Sequence, residues 1–292
     1  MPPAPLRTSV ADLALRAAVE RGDLASVRRI ASGPSSNPDC VSRYDGTTPF
    51  WIACCQGYLD IAKFLDQHCA VDKSLPSFTR QTPLSVACAQ GHLAIVRYLV
   101  RHPQFDYRDL DLADVLGRTP FWYACDRGHL DIARFLHTTA RYRFNPNHAD
   151  SRGETVLHRA CLNYCRDTSV TVDFLLNECV NVINVNKPTI SSRWTPLHIA
   201  CDTASIQLVR RLITAGANVT VRDCNGNTPL HLAVLSGCTD VVDVLVAHGS
   251  RLDACNDQCI PAYLTKTSKP EHQVNMSFHL LRNHDIISFI AV

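Results

Sequence analysis

Short apolar stretches recur along this chain at helical spacing, each followed by a turn and a second apolar stretch. The first of each pair reads Trp51-Ile52-Ala53-Cys54, Ser85-Val86-Ala87-Cys88, Trp122-Tyr123-Ala124-Cys125, His158-Arg159-Ala160-Cys161, His198-Ile199-Ala200-Cys201 and His231-Leu232-Ala233-Val234. The second is seen in Ile61-Ala62-Lys63-Phe64-Leu65, Ile95-Val96-Arg97-Tyr98-Leu99 and Val241-Val242-Asp243-Val244-Leu245. Apolar positions three and four apart share one helix face, so both stretches predict short helices. Each first stretch is preceded by Thr48-Pro49-Phe50, Thr82-Pro83-Leu84, Thr119-Pro120-Phe121, Thr155-Val156-Leu157, Thr195-Pro196-Leu197 or Thr228-Pro229-Leu230. A threonine hydroxyl caps the first free amides, and proline at the first helical position loses no bond. Gly57, Gly91, Gly128 and Gly237 close the first helix, as the left-handed cap position favours. Each unit therefore predicts helix, turn, helix and extended loop.

The threonines stand 34, 37, 36, 40 and 33 residues apart. A period in that range marks one supersecondary unit stacked on copies of itself, which is a solenoid. The pattern Asp-x-x-Gly-x-Thr-Pro-Leu-His-x-Ala, then Gly-His, then an apolar helix and Gly-Ala, resembles the ankyrin repeat. Residues 223–249 follow that consensus almost position for position. The resemblance implies an all-α solenoid of stacked helix-turn-helix units with extended finger loops.

About eight units are expected. Residues 1–11 form a tail and 12–259 the solenoid, with units near 12–43, 44–77, 78–114, 115–150, 151–190, 191–223 and 224–254. The leading unit lacks its Thr-Pro but keeps register through Ala18, Gly22, Asp23, Leu24 and Val27. Residues 255–292 read as a degenerate repeat or cap, in which Cys255-Asn256-Asp257-Gln258 imitates Cys224-Asn225-Gly226-Asn227. A terminal unit has one face in water, which favours such degeneracy. Phe278, Leu280, Leu281, Ile286, Ile287, Phe289 and Ile290 suit a closing helix or a helix that docks a partner.

Composition narrows the function. With 29 basic and 27 acidic residues and a formal charge of +2, no global field recruits nucleic acid or an anionic membrane. No stretch reaches the roughly 18 apolar residues of a membrane span, and the N-terminus lacks a basic segment followed by an apolar run. A cytoplasmic protein is expected, with the nucleus also open, and the sequons at Asn218 and Asn275 are expected bare. Of 14 cysteines, Cys54, Cys88, Cys125, Cys161 and Cys201 stand six residues after the repeat threonine. That is a repeat position, where a thiol packs as a small apolar group. Cys161 with Cys165 and Cys255 with Cys259 lack the spacing of a zinc site. Cys40, Cys69, Cys179 and Cys238 fall in predicted loops or turns, where an exposed thiol is open to oxidation. His158, His198 and His231 fall three after the threonine, while His92 and His129 follow the turn glycine. The resemblance implies that these imidazoles bond to backbone and to neighbouring units. No nucleophile elbow, phosphate loop or paired-carboxylate motif is present. Neither catalysis, a cofactor nor a metal is expected.

Specificity then belongs at outward positions that vary between units, which the resemblance places on the finger loops and the concave face of the first helices. The residue before each threonine is Thr47, Gln81, Arg118, Glu154, Trp194 or Asn227. Trp194 beside Arg193 offers either a binding hot spot or a cover for a neighbouring finger. The ends of the first helices contribute Gln90, Asp126 and Arg127. The longer intervals hold two contrasting stretches: acidic residues 105–114, with Phe105 and Tyr107, and basic Arg141-Tyr142-Arg143-Phe144. These either neutralise each other or clamp an acidic or phosphorylated partner segment between aromatics and arginines.

Departures from the pattern carry further expectations. Trp51 and Trp122 replace the repeat histidine, which suggests packing by aromatic bulk in place of imidazole hydrogen bonds. The fifth unit has Val156 for proline and Tyr164 for the turn glycine, so residues 164–172 are expected to be a fraying point. The leading function is a non-catalytic module that binds another protein through fingers and concave face. The alternative is an adaptor of the ubiquitin-ligase substrate-receptor type, with a recruiting segment in residues 260–292. Oligomeric state is left open.

Overall fold

Thr48, Thr82 and Thr119 each accept the backbone N–H three residues on, from Trp51, Ser85 and Trp122, at 3.1, 3.1 and 3.3 Å. Proline follows each of them at the first helical position. Where the third helical residue is histidine, the imidazole reaches back to the cap threonine and completes a capping box. Nδ1 of His158, His198 and His231 accepts the backbone N–H of Thr155, Thr195 and Thr228 at 3.2, 3.1 and 3.1 Å. The same nitrogen lies 2.8 to 2.9 Å from the threonine hydroxyl.

The computed structural model describes residues 9–34, 36–139, 145–163, 169–179 and 181–265. They fall into two units that divide between His148 and Ala149. The first holds α1 (Val10–Glu20), α2 (Leu24–Ala31), α3 (Pro49–Gln56), α4 (Leu59–Cys69), α5 (Pro83–Gln90), α6 (Leu93–Val100), α7 (Pro120–Asp126) and α8 (Leu130–Thr139). Helices α1, α3, α5 and α7 pack successively in one row, and α2, α4, α6 and α8 in a second. The second unit holds α9 (Val156–Leu162), α10 (Ser169–Asp173), α11 (Pro196–Asp202), α12 (Ile206–Thr214), α13 (Pro229–Ser236) and α14 (Thr239–Ala247). There α9, α11 and α13 form one row, α12 packs on α14, and a 3-10 turn at Ala262–Leu264 packs on α13. Among the described residues there is no strand. No helix among them is long and apolar enough to cross a membrane.

Small side chains let the first helices approach closely. Ala53, Ala87, Ala124, Ala160, Ala200 and Ala233 are buried, and so are Cys54, Cys88, Cys125, Cys161 and Cys201. Burial pushes the thiols of Cys54, Cys88, Cys161 and Cys201 far above their ordinary range. They are packing groups. Of the four cysteines expected in loops or turns, Cys40 and Cys179 are buried and Cys69 and Cys238 half-buried; among the described residues the exposed thiols are Cys224, Cys255 and Cys259. At the turn between paired helices, Gly91 has φ 80°, and a Cβ there would stand 2.6 Å from the His129 ring. The missing side chain makes room for the imidazole, whose Nε2 bonds to the Ala89 carbonyl at 3.2 Å.

Two expectations are corrected. Trp51 does not replace a hydrogen bond with bulk, because its indole N–H donates to the Gln81 carbonyl at 2.8 Å. The degenerate last repeat is also in a different register. Asn256, not Ala254, matches Asp223, since its Oδ1 accepts the amides of Gln258 and Ile260 as Asp223 accepts those of Asn225 and Asn227. The long 40-residue interval contains a π-helical turn at Phe174–Glu178, a device that absorbs an extra residue within a helix. Residues 164–168 of the expected fraying point lie outside the described residues, and Thr171 and Val172 are buried.

Candidate partner interface

The extended loops are closed hairpins. Backbone bonds join Ser42 to Thr47, Ser77 to Gln81 and Asp114 to Arg118 in the first unit, at 3.0, 3.0 and 3.1 Å. In the second they join Asp150 to Glu154, Thr189 to Trp194, Asp223 to Asn227 and Asn256 to Ile260, at 2.8 to 3.0 Å. A side-chain oxygen braces most of them from inside. Oδ1 of Asp114 accepts the amides of Leu116 and Arg118 at 2.9 and 2.8 Å, and Asp150 accepts those of Arg152 and Glu154. Asp and Asn suit this turn because a short side chain reaches its own backbone two residues on.

Several hairpins are tied to the helices, and successive tips to one another. Nε2 of His158, His198 and His231 donates to the carbonyls of Trp194, Asn227 and Ile260 at 3.1, 3.3 and 3.2 Å. The Trp51 indole does the same in the first unit at Gln81. Because Nδ1 accepts a backbone amide and Nε2 donates, each of the three imidazoles is neutral. Burial draws His158 down to about 4 and lowers His198 and His231 as well. Successive tips are joined by single backbone bonds, Phe78 N–H to Asp45 at 2.8 Å and Val115 N–H to Thr79 at 3.0 Å. In the second unit Ile190 bonds to Arg152, Cys224 to Ser192 and Asp257 to Asn225.

The tips carry apolar side chains. Tyr44 is 97% exposed, Phe78 61%, Val115 53% and Leu116 45%, on three successive hairpins of the first unit. Ile190 in the second unit is 72% exposed. The Phe78 ring is steadied by Gly46, whose absent Cβ would lie 2.4 Å from Cδ1, and Ile190 rests in the same way on Gly153. Large apolar side chains exposed on hairpins that adjoin one another are candidates for an interaction surface. A second feature of the tips is strain. Gly46, Gly117, Gly153 and Gly226 all have φ between 74° and 80°, and in the equivalent places Arg80, Arg193 and Cys259 have φ of 60°, 54° and 58°. L-residues in this region cost about 1 to 2 kcal/mol, and such strain concentrates at functional sites.

The residues singled out from sequence are placed as follows. Gln81, Arg118, Glu154 and Trp194 lie at the hairpin base, half-buried, not at the tip. The Trp194 indole donates to Asp223 Oδ2 on the neighbouring hairpin at 3.3 Å. Arg118 lies 4.6 Å over the Trp122 ring. Arg193 is exposed at its tip. Gln90 and Arg127 are exposed at the ends of α5 and α7, with Asp126 half-buried beside them. The acidic stretch does not lengthen a finger tip; it folds into a 3-10 turn at Tyr107–Leu110 ahead of the hairpin. Phe105 and Tyr107 meet edge to face at 5.4 Å. Phe105 borders a cavity of about 390 Å³ that it shares with Asp72, Asp106 and Asp109. Burial, then Asp106 and Asp72, raise the Asp109 carboxyl above its ordinary range. Those carboxylates have the sign of the acidic segment expected there. Arg141, Tyr142, Arg143 and Phe144 lie outside the described residues, as do residues 266–292.

The tip stripe has a signal in the sequence. Phe78 and Val115 stand four residues before the repeat threonine and Ile190 five before it. Apolar residues in a position that the hairpin exposes are the sign to look for.

Comparison with known proteins agrees with this architecture. The family model described as ankyrin repeats, in three copies, matches residues 15–114, 105–186 and 165–256. Protein fem-1 homolog C of Mus musculus is 30% identical over 114 residues, 35% of this chain and 18% of that protein. The nuclear factor NF-kappa-B p105 subunit of Gallus gallus is 32% identical over 121 residues, 39% of this chain and 12% of its own. The chain thus spans less than a fifth of either relative. The ankyrin repeat domain of Bcl-3, a member of the IkappaB protein family, superposes with a TM-score of 0.66 at 26% identity, covering 80% of this chain and 98% of that one. The human ASB11 ankyrin repeat domain gives 0.60 at 23% identity, over 80% of this chain and 98% of that one, a likeness of fold alone. The stacked helix pairs, the braced hairpins and the matched repeats lead to one conclusion: the chain belongs to the ankyrin-repeat family, whose repeats build protein-protein interaction modules.

Proposed function

We propose that this chain binds a partner protein through its hairpin tips, with the exposed ends of the first helices as the adjoining surface. The observation that carries the reading is the apolar stripe of Tyr44, Phe78, Val115 and Leu116 on three hairpins joined by backbone hydrogen bonds. Bracing fixes the backbone before binding, so little ordering entropy opposes association. A partner that presents aliphatic or aromatic side chains suits it. The test is capture from lysate with crosslinking and mass spectrometry, comparing the wild-type chain with Tyr44→Ser/Phe78→Ser/Val115→Ser after circular dichroism shows equal helicity. Loss of a captured protein in the variant is expected. Equal capture by both would sink the reading.

The adaptor reading is a finer version of this function and rests on residues 260–292. Deleting residues 266–292 separates it: a folded chain that keeps its client and loses a second protein supports an adaptor. A chain that unfolds assigns the segment to capping.

A further inference from the structure

The second-helix row of the first unit carries a recurring pair that the hairpin surface does not use. A cation stands fifteen residues after the repeat threonine and an aromatic sixteen after it: Lys63 and Phe64, Arg97 and Tyr98, Arg134 and Phe135. Cations along this row reach rings on the next helix. The Arg28 guanidinium lies 5.7 Å over the Phe64 ring, the Lys63 ammonium 6.0 Å over Tyr98, and Arg97 and Arg101 lie 5.5 and 5.7 Å over Phe135. A guanidinium laid on a ring has its stem held and keeps its N–H edge for a carboxylate.

Between α4 and α6 these cations border a groove of about 370 Å³. Leu59, Ala94 and Tyr98 line it together with Lys63, Arg97 and Arg101. None of the three cations has a carboxylate within ion-pair distance among the described residues. Asp66, a turn along α4 from Lys63, is held by Lys73 at 2.6 Å and by two groups at the groove's edge, the Tyr98 hydroxyl and His102 at 3.4 Å.

We propose that this groove binds an acidic peptide segment of a partner protein, its carboxylates on Lys63, Arg97 and Arg101 and an apolar side chain against Leu59, Ala94 and Tyr98. Charge complementarity sets the choice, because three unneutralised cations surround an apolar lining. Asp60 and Asp131 are exposed on α4 and α8. They interrupt the run of cations along this helix row, which favours a short acidic segment over a long polyanion. The exposed large apolar side chains that a membrane surface would take up are absent from α4, α6 and α8. The surface is independent of the hairpin tips.

The experiment is fluorescence anisotropy of the full chain with a labelled peptide of glutamate pairs separated by leucines. Binding is expected, weakened at least tenfold when glutamine replaces glutamate in the peptide and at least tenfold in Lys63→Gln/Arg97→Gln/Arg101→Gln. A variant with equal charge loss elsewhere, Arg21→Gln/Arg210→Gln/Arg251→Gln, is expected to bind as the wild type does. So is the hairpin-tip variant, which keeps failure of one surface apart from failure of the other. If the groove variant loses its helical signal, Arg101→Gln alone is expected to weaken binding about threefold. Equal binding by groove and control variants overturns the proposal, and so does tighter binding of phosphatidylserine vesicles or a single-stranded oligonucleotide than of the peptide.

Discussion

The ring of Phe78 lies against the Cα of Gly46, so close that a Cβ at residue 46 would stand 2.4 Å from Cδ1 and 2.6 Å from the Phe78 amide nitrogen. One hairpin therefore shapes the next. The glycine supplies the left-handed backbone at φ 74° that its own turn needs. It also leaves the shelf on which the neighbouring aromatic rests, so that a large apolar side chain can be both exposed and fixed.

Gly46→Ala tests this double role. The added methyl meets backbone as well as ring, and the left-handed conformation is strained for alanine, which together cost about 1 to 3 kcal/mol. Denaturant unfolding is expected to show that loss, and capture of the partner is expected to fall with it. A variant as stable as the wild type would mean that the hairpins are not packed tip to tip.

Arg193 and Arg80 invert the situation, since each holds at φ 54° and 60° a place where other hairpins have glycine. Arg193→Gly removes the strain but adds freedom to the unfolded chain, for a net gain of about 0.5 to 1 kcal/mol. If the arginine serves binding, the variant is more stable and captures less. A variant that is less stable would show that Arg193 makes contacts that outweigh its strain.

Much of this architecture is legible in the chain, and the reason is local. The Thr-Pro starts, the turn glycines and the apolar helix faces each act within a few residues, so the unit and its period follow directly from sequence. The exposed stripe is less legible because exposure depends on hairpin closure: Phe78 and Val115 read as ordinary apolar residues until the Ser77 to Gln81 and Asp114 to Arg118 bonds turn them outward. Trp194 shows the converse dependence on long-range structure. Its position beside the repeat threonine looks like a tip, but its indole is spent on Asp223, 29 residues away. Trp51 shows that one geometric task can be met by two chemistries, an indole or an imidazole N–H, which residue-type matching does not see.

Trp51→Phe isolates that bond. An aromatic face is kept, while the pyrrole ring is lost with its N–H and the Gln81 carbonyl loses the donor that holds it at 2.8 Å. An unmet acceptor in a partly buried place costs about 1 to 2 kcal/mol. Unfolding is expected to show this loss, and amide exchange to quicken at residues 77–81. If stability is unchanged, the hairpin is held by its neighbours and not by the indole.

The buried histidines at the helix starts of the second unit, His158, His198 and His231, make its stability depend on pH. Each is neutral in the fold because Nδ1 faces a backbone N–H that a second proton would oppose, and burial lowers His158 to about 4 from an ordinary value of 6.5. His198 and His231 shift the same way. The unfolded state therefore binds more protons between those values. Stability is full above pH 6.5 and declines as pH falls toward 4, with a slope of up to about 1.4 kcal/mol per pH unit for each histidine. Asp202, raised by burial, works in the opposite sense and gains as pH falls, so the wild-type slope alone does not isolate the imidazoles. His158→Gln does, because a carboxamide offers an acceptor and a donor that do not titrate. Denaturant unfolding of the variant at pH 7.5, 6 and 5 is expected to fall less steeply than that of the wild type. Identical slopes would mean that His158 is already free to protonate in the folded chain, and that the bonds from Thr155 N–H and to the Trp194 carbonyl do not set its charge.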